Sequence, residues 1–117
     1  MPVATCHCGA VTLDLTAPPS EVTECNCSIC RRYGVLWAYM PPAEVTIRTT
    51  GPTDRYVREG GDQAFQRCAT CGCVTHWQKF DPAFDRMGVN ARLLPPDILA
   101  AARLRHLDGA ETDRYLD

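Results

Sequence analysis

Cysteine is the residue whose number and spacing could do chemistry in this chain of 117 residues. The eight cysteines fall into three short clusters: Cys6 and Cys8; Cys25, Cys27 and Cys30; and Cys68, Cys71 and Cys73. Thiolates are soft ligands that bind zinc tetrahedrally at about 2.3 Å, and close spacing delivers several of them from one segment. Disulfide frameworks usually scatter their cysteines instead. The clustering therefore predicts metal binding, with a disulfide framework or a dithiol redox motif as the alternatives.

The first and third clusters each present two sulfurs next to a glycine. In an extended segment residues i and i+2 face the same side, so Cys6 and Cys8 can bind one metal together. The Cys68-Ala69-Thr70-Cys71 spacing forms a turn that points two sulfurs at one ion. Gly9 and Gly72 follow these pairs, and glycine readily adopts the left-handed conformation that closes such a turn. Both clusters are therefore predicted to lie in metal-binding turns.

The middle cluster differs because it supplies three thiolates from one short segment, residues 25–30. Structural zinc sites are closed by four protein ligands, whereas catalytic sites keep a position open. A four-sulfur site and a three-sulfur site account for seven of the eight cysteines and leave Cys73 as a free thiol. This count favours pairing of the first and third clusters only weakly. Two alternatives remain: Cys73 joins the middle site, or a distant residue closes that site as a purely structural one.

Other side chains near the clusters carry weaker signals. Arg31 and Arg32 directly follow the middle cluster, where they could offset its negative charge, bind a substrate carboxylate, or simply be solvated surface residues. His7 lies between two candidate ligands and is expected to point away from them. His76 follows a strand pattern and is a weak candidate for lining a pocket. Four aromatic residues are expected to pack in the core or sheets rather than to bind substrate: Trp37, Tyr39, Phe65 and Trp77.

Charge and composition argue against several classes of function. The net charge is −2, so we expect no basic surface of the kind that binds nucleic acid or an anionic membrane. Residues 1–5 lack the pattern of a secretory signal, and no stretch approaches the roughly 20 apolar residues of a membrane span. Without an export signal the expected location is the reducing cytoplasm, where thiols persist. The length fits a single zinc-binding domain, residues 1–117.

Short strand patterns separated by turn residues dominate the chain. Val11–Leu15 and Val45–Thr49 alternate apolar and polar residues, as half-buried strands do. Ser28–Tyr33 is predicted as a helical turn, and 95–102 as a short helix. Further strands are predicted at six places: Glu21–Cys25, 36–40, 64–67, 74–78, 87–91 and 103–107. The pattern predicts a mostly β fold of antiparallel sheets with one or two short helical turns.

Three motifs occur in an order and at spacings that resemble one family. They are Cys-His-Cys-Gly-Ala-Val from Cys6, Cys-Asn-Cys-Ser-Ile-Cys-Arg-Arg from Cys25, and Cys-Ala-Thr-Cys-Gly from Cys68. Over residues 3–110 the chain resembles the glutathione-dependent formaldehyde-activating enzymes, whose superfamily includes centromere protein V. The resemblance implies a tent-like arrangement of antiparallel β-sheets. It also implies two zinc ions, a structural one on Cys6, Cys8, Cys68 and Cys71 and a catalytic one on Cys25, Cys27 and Cys30.

By the same resemblance, the activity is that of a zinc-dependent carbon–sulfur lyase acting on adducts of glutathione with an aldehyde, of the S-hydroxymethylglutathione type. In this hypothesis the thiol, glutathione as co-substrate, binds the open position of the middle zinc as a thiolate and adds to a neighbouring aldehyde. The partners are then a small-molecule thiol and an aldehyde. Two other interpretations remain open: a non-catalytic binding module with two saturated metals, and a thiol redox or metal-buffering protein with a reversible disulfide between Cys27 and Cys30.

Overall fold

The computed structural model describes residues 2–117 and is built mostly from β-strands. Two short α-helices interrupt the strands, α1 (Ser28–Tyr33) and α2 (Pro96–Ala101), with 3₁₀ turns at Pro42–Glu44 and Ala91–Leu93. No helix within this range is long and apolar enough to span a bilayer. The strands are β1 (Val3–Thr5), β2 (Val11–Leu15), β3 (Glu21–Cys25), β4 (Trp37–Met40), β5 (Val45–Thr49), β6 (Thr53–Tyr56), β7 (Gln63–Cys68), β8 (Val74–Lys79), β9 (Met87–Asn90), β10 (Arg103–Asp108) and β11 (Arg114–Tyr115).

The strands form two sheets. The smaller has the order β1-β2-β5, and the larger has the order β11-β10-β3-β4-β9-β8-β7-β6. Neighbouring strands are antiparallel except β3 and β10, which pair in parallel. The prediction of a mostly β fold with antiparallel sheets and short helices is therefore confirmed. The one parallel pair joins strands that are far apart in the chain, as parallel pairing requires.

The alternating segments become strands with one buried face. In β2, Val11, Leu13 and Leu15 are buried while Thr12 and Asp14 are partly exposed. Apolar side chains at every second residue lie on one face of a strand, and that face packs against the core. All eight predicted strands form, with ends shifted by at most one residue, and the predicted helical turns form as α1 and α2.

The local pattern does not predict three short strands, β1, β6 and β11. β6 has four exposed residues and hence no apolar alternation to reveal it. β1 and β11 have only three and two residues. These strands form because a neighbouring strand offers backbone partners, which is information that a local sequence pattern does not carry.

Two clusters of buried apolar side chains make up the core, and each contains cysteines. The first cluster includes Cys6 and Cys68. The second includes Cys25 and Cys30 beside Trp37. The cysteines of the three sequence clusters are therefore attached to packed parts of the fold, which fixes the positions of their sulfurs.

Candidate metal centres

Two hairpin turns bring four cysteine sulfurs together. The turn between β1 and β2 carries Cys6 and Cys8. Cys68 is the last residue of β7, and the turn from β7 to β8 carries Cys71. The four sulfurs, called here the four-sulfur group, all lie within 4.8 Å of one another. The structure thus pairs the first and third sequence clusters, as the resemblance implied.

Glycines close both turns in the left-handed conformation. Gly9 has φ 82° and Gly72 has φ 80°, values that L-amino acids with side chains rarely adopt. The Gly9 N–H donates to the Cys6 carbonyl at 3.1 Å, and the Gly72 N–H donates to the Cys68 carbonyl at 2.9 Å. The expected role of both glycines is confirmed, and each turn directs its two sulfurs to the same side.

The spacing of the four-sulfur group fits a zinc ion. In a tetrahedral site with Zn–S bonds of about 2.3 Å, neighbouring sulfurs lie about 3.8 Å apart. The Sγ atoms of Cys6 and Cys8 are 3.8 Å apart, and those of Cys8 and Cys68 are 3.5 Å apart. The group therefore has the ligand type, number and spacing of a closed tetrahedral metal site.

Backbone N–H groups stabilise negative charge on these sulfurs. The Val11 N–H donates to Cys6 Sγ at 3.2 Å in the core. The backbone N–H of Cys73, and after it that of Cys8, lower the pKa of the Cys71 thiol to about 5. A hydrogen bond donated to a thiolate favours the charged form. These contacts favour the thiolate at Cys71, the form in which a cysteine binds a metal, whereas hydrogen bonds with Cys68 and other sulfurs raise the pKa of Cys8.

The middle cluster forms a second collection of sulfurs at the junction of β3 and α1. Cys25 ends β3, Cys27 caps the N-terminus of α1, and Cys30 lies in its first turn. Their sulfurs all lie within 4.8 Å of one another and are called here the three-sulfur group. Within residues 2–117, no fourth cysteine, histidine or carboxylate shares this group. The group can therefore hold a metal ion and leave one position of a tetrahedron free of protein ligands.

The helix turn itself sets the geometry of the three-sulfur group. Cys27 Sγ accepts the N–H of Cys30 at 3.4 Å, the position that Ser or Asp usually takes at a helix N-cap. Gly34 ends the helix in the left-handed conformation, with φ 68°. A single helical turn thus returns Cys30 to the same side as Cys27.

The three sulfurs differ in their affinity for protons. The hydrogen bond from the Cys30 thiol lowers the pKa of Cys25 to about 6, although burial opposes this. The same contact with Cys25, together with burial, raises the pKa of Cys30. The indole Nε1–H of Trp37 also donates to Cys30 Sγ at 3.2 Å. The contact therefore favours a thiolate at Cys25, and a thiolate favours the approach of a cation.

The three-sulfur group faces a small cavity of about 220 Å³, called here the three-sulfur cavity. The four aromatic residues singled out in the sequence pack in the second core cluster, as expected, and also form walls of this cavity. The rest of the lining consists of Ile29, Gly109 and three polar side chains: Arg58, Gln63 and Asp113. The sulfurs are thus surrounded by aromatic walls and by a few polar side chains, a combination common in small-molecule sites.

The hairpin between β10 and β11 covers one side of the three-sulfur group. The Asn26 side chain donates to the Asp108 carboxylate at 3.0 Å and accepts the Ala110 N–H at 3.0 Å. Gly109 lies against the group so closely that a Cβ atom there would stand 2.5 Å from Cys25 Sγ. Asn26 lies between Cys25 and Cys27, so its two hydrogen bonds hold the hairpin against the three-sulfur group.

The other candidate residues lie elsewhere. Arg31 is exposed and does not border the three-sulfur cavity. Arg32 lines a groove that shares Ile29 and Arg58 with that cavity. His7 is exposed and belongs to neither sulfur group. His76 is buried with its Nδ1 2.8 Å from the Thr75 hydroxyl, and it does not line the three-sulfur cavity. Burial lowers the pKa of His76 to about 4, so its ring is neutral at physiological pH.

Cys73 does not join the middle group. It packs half-buried against the first core cluster, and its carbonyl accepts the Cys68 N–H at 3.0 Å. It is therefore a neighbour of the four-sulfur group, and the alternative that adds it to the middle cluster does not agree with the structure.

Sequence reasoning missed Arg58, Gln63, Asp113 and Gly109. All four come from loops or strands distant in the chain from residues 25–30, and their surroundings in the sequence carry no motif. One signal was available, since Asp108-Gly109 is a turn pair that predicts a tight bend at that point.

The β-rich fold and its two groups of cysteine sulfurs define a class of small cysteine-rich proteins whose sulfurs can hold metal ions. The profile of the family described as glutathione-dependent formaldehyde-activating enzyme matches residues 1–96. This chain belongs to that family.

One solved structure extends the comparison. The chain is similar to a protein from Rhodobacter sphaeroides whose crystal structure is known, with 29% sequence identity and a TM-score of 0.69. The similarity covers 87% of this chain and 98% of that one. No curated protein matches the chain.

Proposed function

We propose that this protein is a zinc-dependent carbon–sulfur lyase that joins and separates glutathione and an aldehyde such as formaldehyde. Membership of the family supports the two small-molecule partners. The single observation that carries the proposal is the contrast between the two sulfur groups. Four sulfurs make up one group, whereas the three sulfurs of the other face a cavity with aromatic walls. We assign a structural role to the first and a catalytic role to the second.

The proposal includes two zinc ions in one domain spanning residues 1–117. Cys6, Cys8, Cys68 and Cys71 would hold one ion, and Cys25, Cys27 and Cys30 the other. All eight cysteines are free of disulfides, which suits work in a reducing compartment such as the cytoplasm. When bound by three thiolates, zinc supplies a positive charge that lowers the pKa of a thiol brought next to it.

The reaction needs no oxidant or reductant. In the forward direction the thiol sulfur forms a bond to the carbonyl carbon, the carbonyl π electrons move to oxygen, and the thiol proton ends on that oxygen. The reverse direction breaks the same C–S bond. The three-sulfur cavity would hold the two reactants together, and proximity alone supplies much of the acceleration of such an addition.

Aromatic walls would limit the access of water to the reacting atoms. Trp37 and Phe65 are buried at the three-sulfur cavity, and Tyr33 packs behind Phe65 with ring centroids 5.7 Å apart. Excluding water strengthens the electrostatic interactions inside a site and suppresses competing hydration of an aldehyde.

Tyr39 is a candidate hydrogen-bond donor to the aldehyde oxygen. Its side chain lines the three-sulfur cavity and packs against Trp77. Burial, and after it the nearby Tyr115 and Cys25, raise its pKa further above the ordinary tyrosine value. Its Oη therefore keeps the proton at neutral pH and can donate a hydrogen bond where negative charge develops on the aldehyde oxygen.

Exchange NMR on glutathione mixed with formaldehyde tests the proposal. We expect the zinc-loaded protein to accelerate exchange between the free thiol and its hydroxymethyl adduct. Cys27→Ser should lower this acceleration about 100-fold or more, because the reactants lose their common binding place. The matched control is Cys73→Ser, because it removes a thiol that belongs to neither group. This variant should accelerate the exchange as the wild type does.

Retained acceleration in Cys27→Ser, with a circular dichroism spectrum like that of the wild type, would rule out catalysis at the three-sulfur group. Absence of acceleration in the wild type with two zinc ions bound would favour the binding-module interpretation.

Tyr39→Phe should reduce the rate about tenfold to a hundredfold if its hydroxyl stabilises the developing oxyanion. An unchanged rate would remove Tyr39 from the mechanism.

A further inference from the structure

The three-sulfur cavity is too small for a whole peptide-like thiol. Its volume of about 220 Å³ lies below the roughly 300–1,000 Å³ typical of pockets that enclose a ligand of that size. It can accept the sulfur end of a thiol together with a small aldehyde. Any remaining part of the thiol must lie in a space continuous with the cavity.

A larger groove of about 680 Å³ adjoins the cavity and offers that space. The two share Ile29 and Arg58 as lining residues. Their walls are also continuous, because Tyr33 of the groove packs against Phe65 of the cavity. A molecule with its sulfur at the three-sulfur group can therefore extend past Arg58 into the groove.

The groove is positively charged although the chain as a whole is acidic. Three arginines and one carboxylate line it, and they come from different parts of the fold: Arg32 in α1, Arg58 and Glu59 after β6, and Arg67 in β7. We call this feature the arginine groove. Three guanidinium groups thus share one concave surface in a chain whose net charge is −2.

These guanidinium groups are free to bind an anion. Among residues 2–117, no carboxylate lies within 4.0 Å of Arg32 or Arg58, and Arg67 has only a long contact of 3.8 Å with Asp54. The Ser28 carbonyl accepts one Arg32 N–H at 2.8 Å, which holds that side chain against the helix and leaves its other donors available. The planar fork of arginine matches a carboxylate with two parallel hydrogen bonds.

We propose that the arginine groove selects acidic, peptide-like thiols by binding their carboxylates, and that neutral thiols are poor substrates. Arg58 borders both spaces, so it binds the carboxylate nearer to the sulfur, while Arg32 and Arg67 bind the farther one. Glu59 is placed to pair with an ammonium group. The inference rests on the proposed function for the position of the sulfur, but it concerns separate residues.

S-Methylglutathione is the probe that tests the groove without any reaction, because its sulfur is blocked. We expect zinc-loaded protein to bind it at least about tenfold more tightly than its dimethyl ester, in which both carboxylates are masked. Binding should weaken as salt concentration rises. Isothermal titration calorimetry measures both effects. Equal affinity for the acid and the ester would overturn the proposal.

Variants of the arginines locate the binding. Arg58→Gln and Arg67→Gln should each weaken S-methylglutathione about tenfold or more and leave the ester unaffected. Arg103→Gln, which removes an exposed charge at the start of β10, is the matched control and should bind like the wild type. Unchanged zinc content and circular dichroism spectra verify folding of each variant. Wild-type affinity in both groove variants would overturn the assignment of the groove.

The two proposals fail in different ways. If S-methylglutathione binds as expected but exchange is not accelerated, the catalytic proposal fails and the groove stands. If exchange is accelerated equally for glutathione and for 2-mercaptoethanol, and Arg58→Gln changes neither rate, the groove inference fails and the catalytic proposal stands.

Discussion

At the scale of single residues, the contact between Gly109 and the Cys25 sulfur is the tightest constraint on the three-sulfur group. A Cβ atom at position 109 would stand 2.5 Å from Cys25 Sγ and 3.4 Å from Cys27 Cβ. Gly109 does not have a positive φ, so the backbone itself would accept alanine there. The requirement for glycine is therefore steric and belongs to the site.

Gly109→Ala should disturb the three-sulfur group and spare the four-sulfur group. We expect metal affinity at the three-sulfur group to fall about tenfold to a hundredfold, the usual effect of displacing the surroundings of a metal ligand. Competition with a chromophoric chelator measures the two affinities separately. Ala110→Ser, an exposed position on the same turn, should bind both ions like the wild type. Two unchanged affinities in Gly109→Ala would show that the hairpin does not position the site.

The sequence predicts the sulfur groups better than their surroundings because spacing within a turn is local. The spacing within each pair of cysteines predicts the turn that the pair must form, both for Cys6 with Cys8 and for Cys68 with Cys71. The left-handed conformations of the two glycines follow from the same turns. Arg58 and Gly109 could not be inferred in this way. They reach the site through strand pairing between distant segments, which leaves no local pattern.

At the scale of elements, the pairing of β8, β9 and β4 forms one wall of the three-sulfur cavity. Gly88 in β9 stands opposite Trp77 in β8 and Tyr39 in β4. A Cβ atom on Gly88 would overlap the Trp77 indole ring. A glycine within a strand often marks such a close approach. The absence of a side chain at this point lets the indole lie across the sheet and line the cavity.

Gly88→Ala should destabilise the folded state by about 1–3 kcal/mol, the usual effect of overpacking a core. Urea unfolding of the zinc-loaded protein measures the free energy. Gly51→Ala is the matched control, since a Cβ there would meet the Ala10 methyl at 3.3 Å and the Thr70 Oγ1 at 4.0 Å. It should cost less than about 1 kcal/mol. Equal stability of the two variants would contradict the packing argument for Trp77.

The strands could be predicted from the sequence where apolar and polar residues alternate. β2 and β5 have the predicted limits because apolar residues recur at every second position. By contrast, all four residues of β6, the strand before Arg58, are exposed. This strand is therefore defined by its pairing with β7 and not by a pattern of its own. The parallel pairing of β3 with β10 likewise depends on contacts between segments and not on either segment alone.

At the scale of the whole molecule, the two sulfur groups belong to different parts of one fold. The four-sulfur group links the β1–β2 turn of the small sheet to the β7–β8 turn of the large sheet. The three-sulfur group lies with the second core cluster, between β3, α1 and the C-terminal hairpin. A metal in the first group would therefore join the two sheets, while a metal in the second would face the three-sulfur cavity.

Cobalt substitution tests most directly whether one group is closed and the other open to a thiol. Cobalt(II) bound tetrahedrally by thiolates absorbs visible light, and its spectrum changes when a ligand is added or exchanged. We expect two cobalt ions per chain, one of which is lost in Cys27→Ser. Added glutathione should change only the spectral component that this variant lacks. A single bound ion, or two ions whose spectra do not respond to glutathione, would contradict the account.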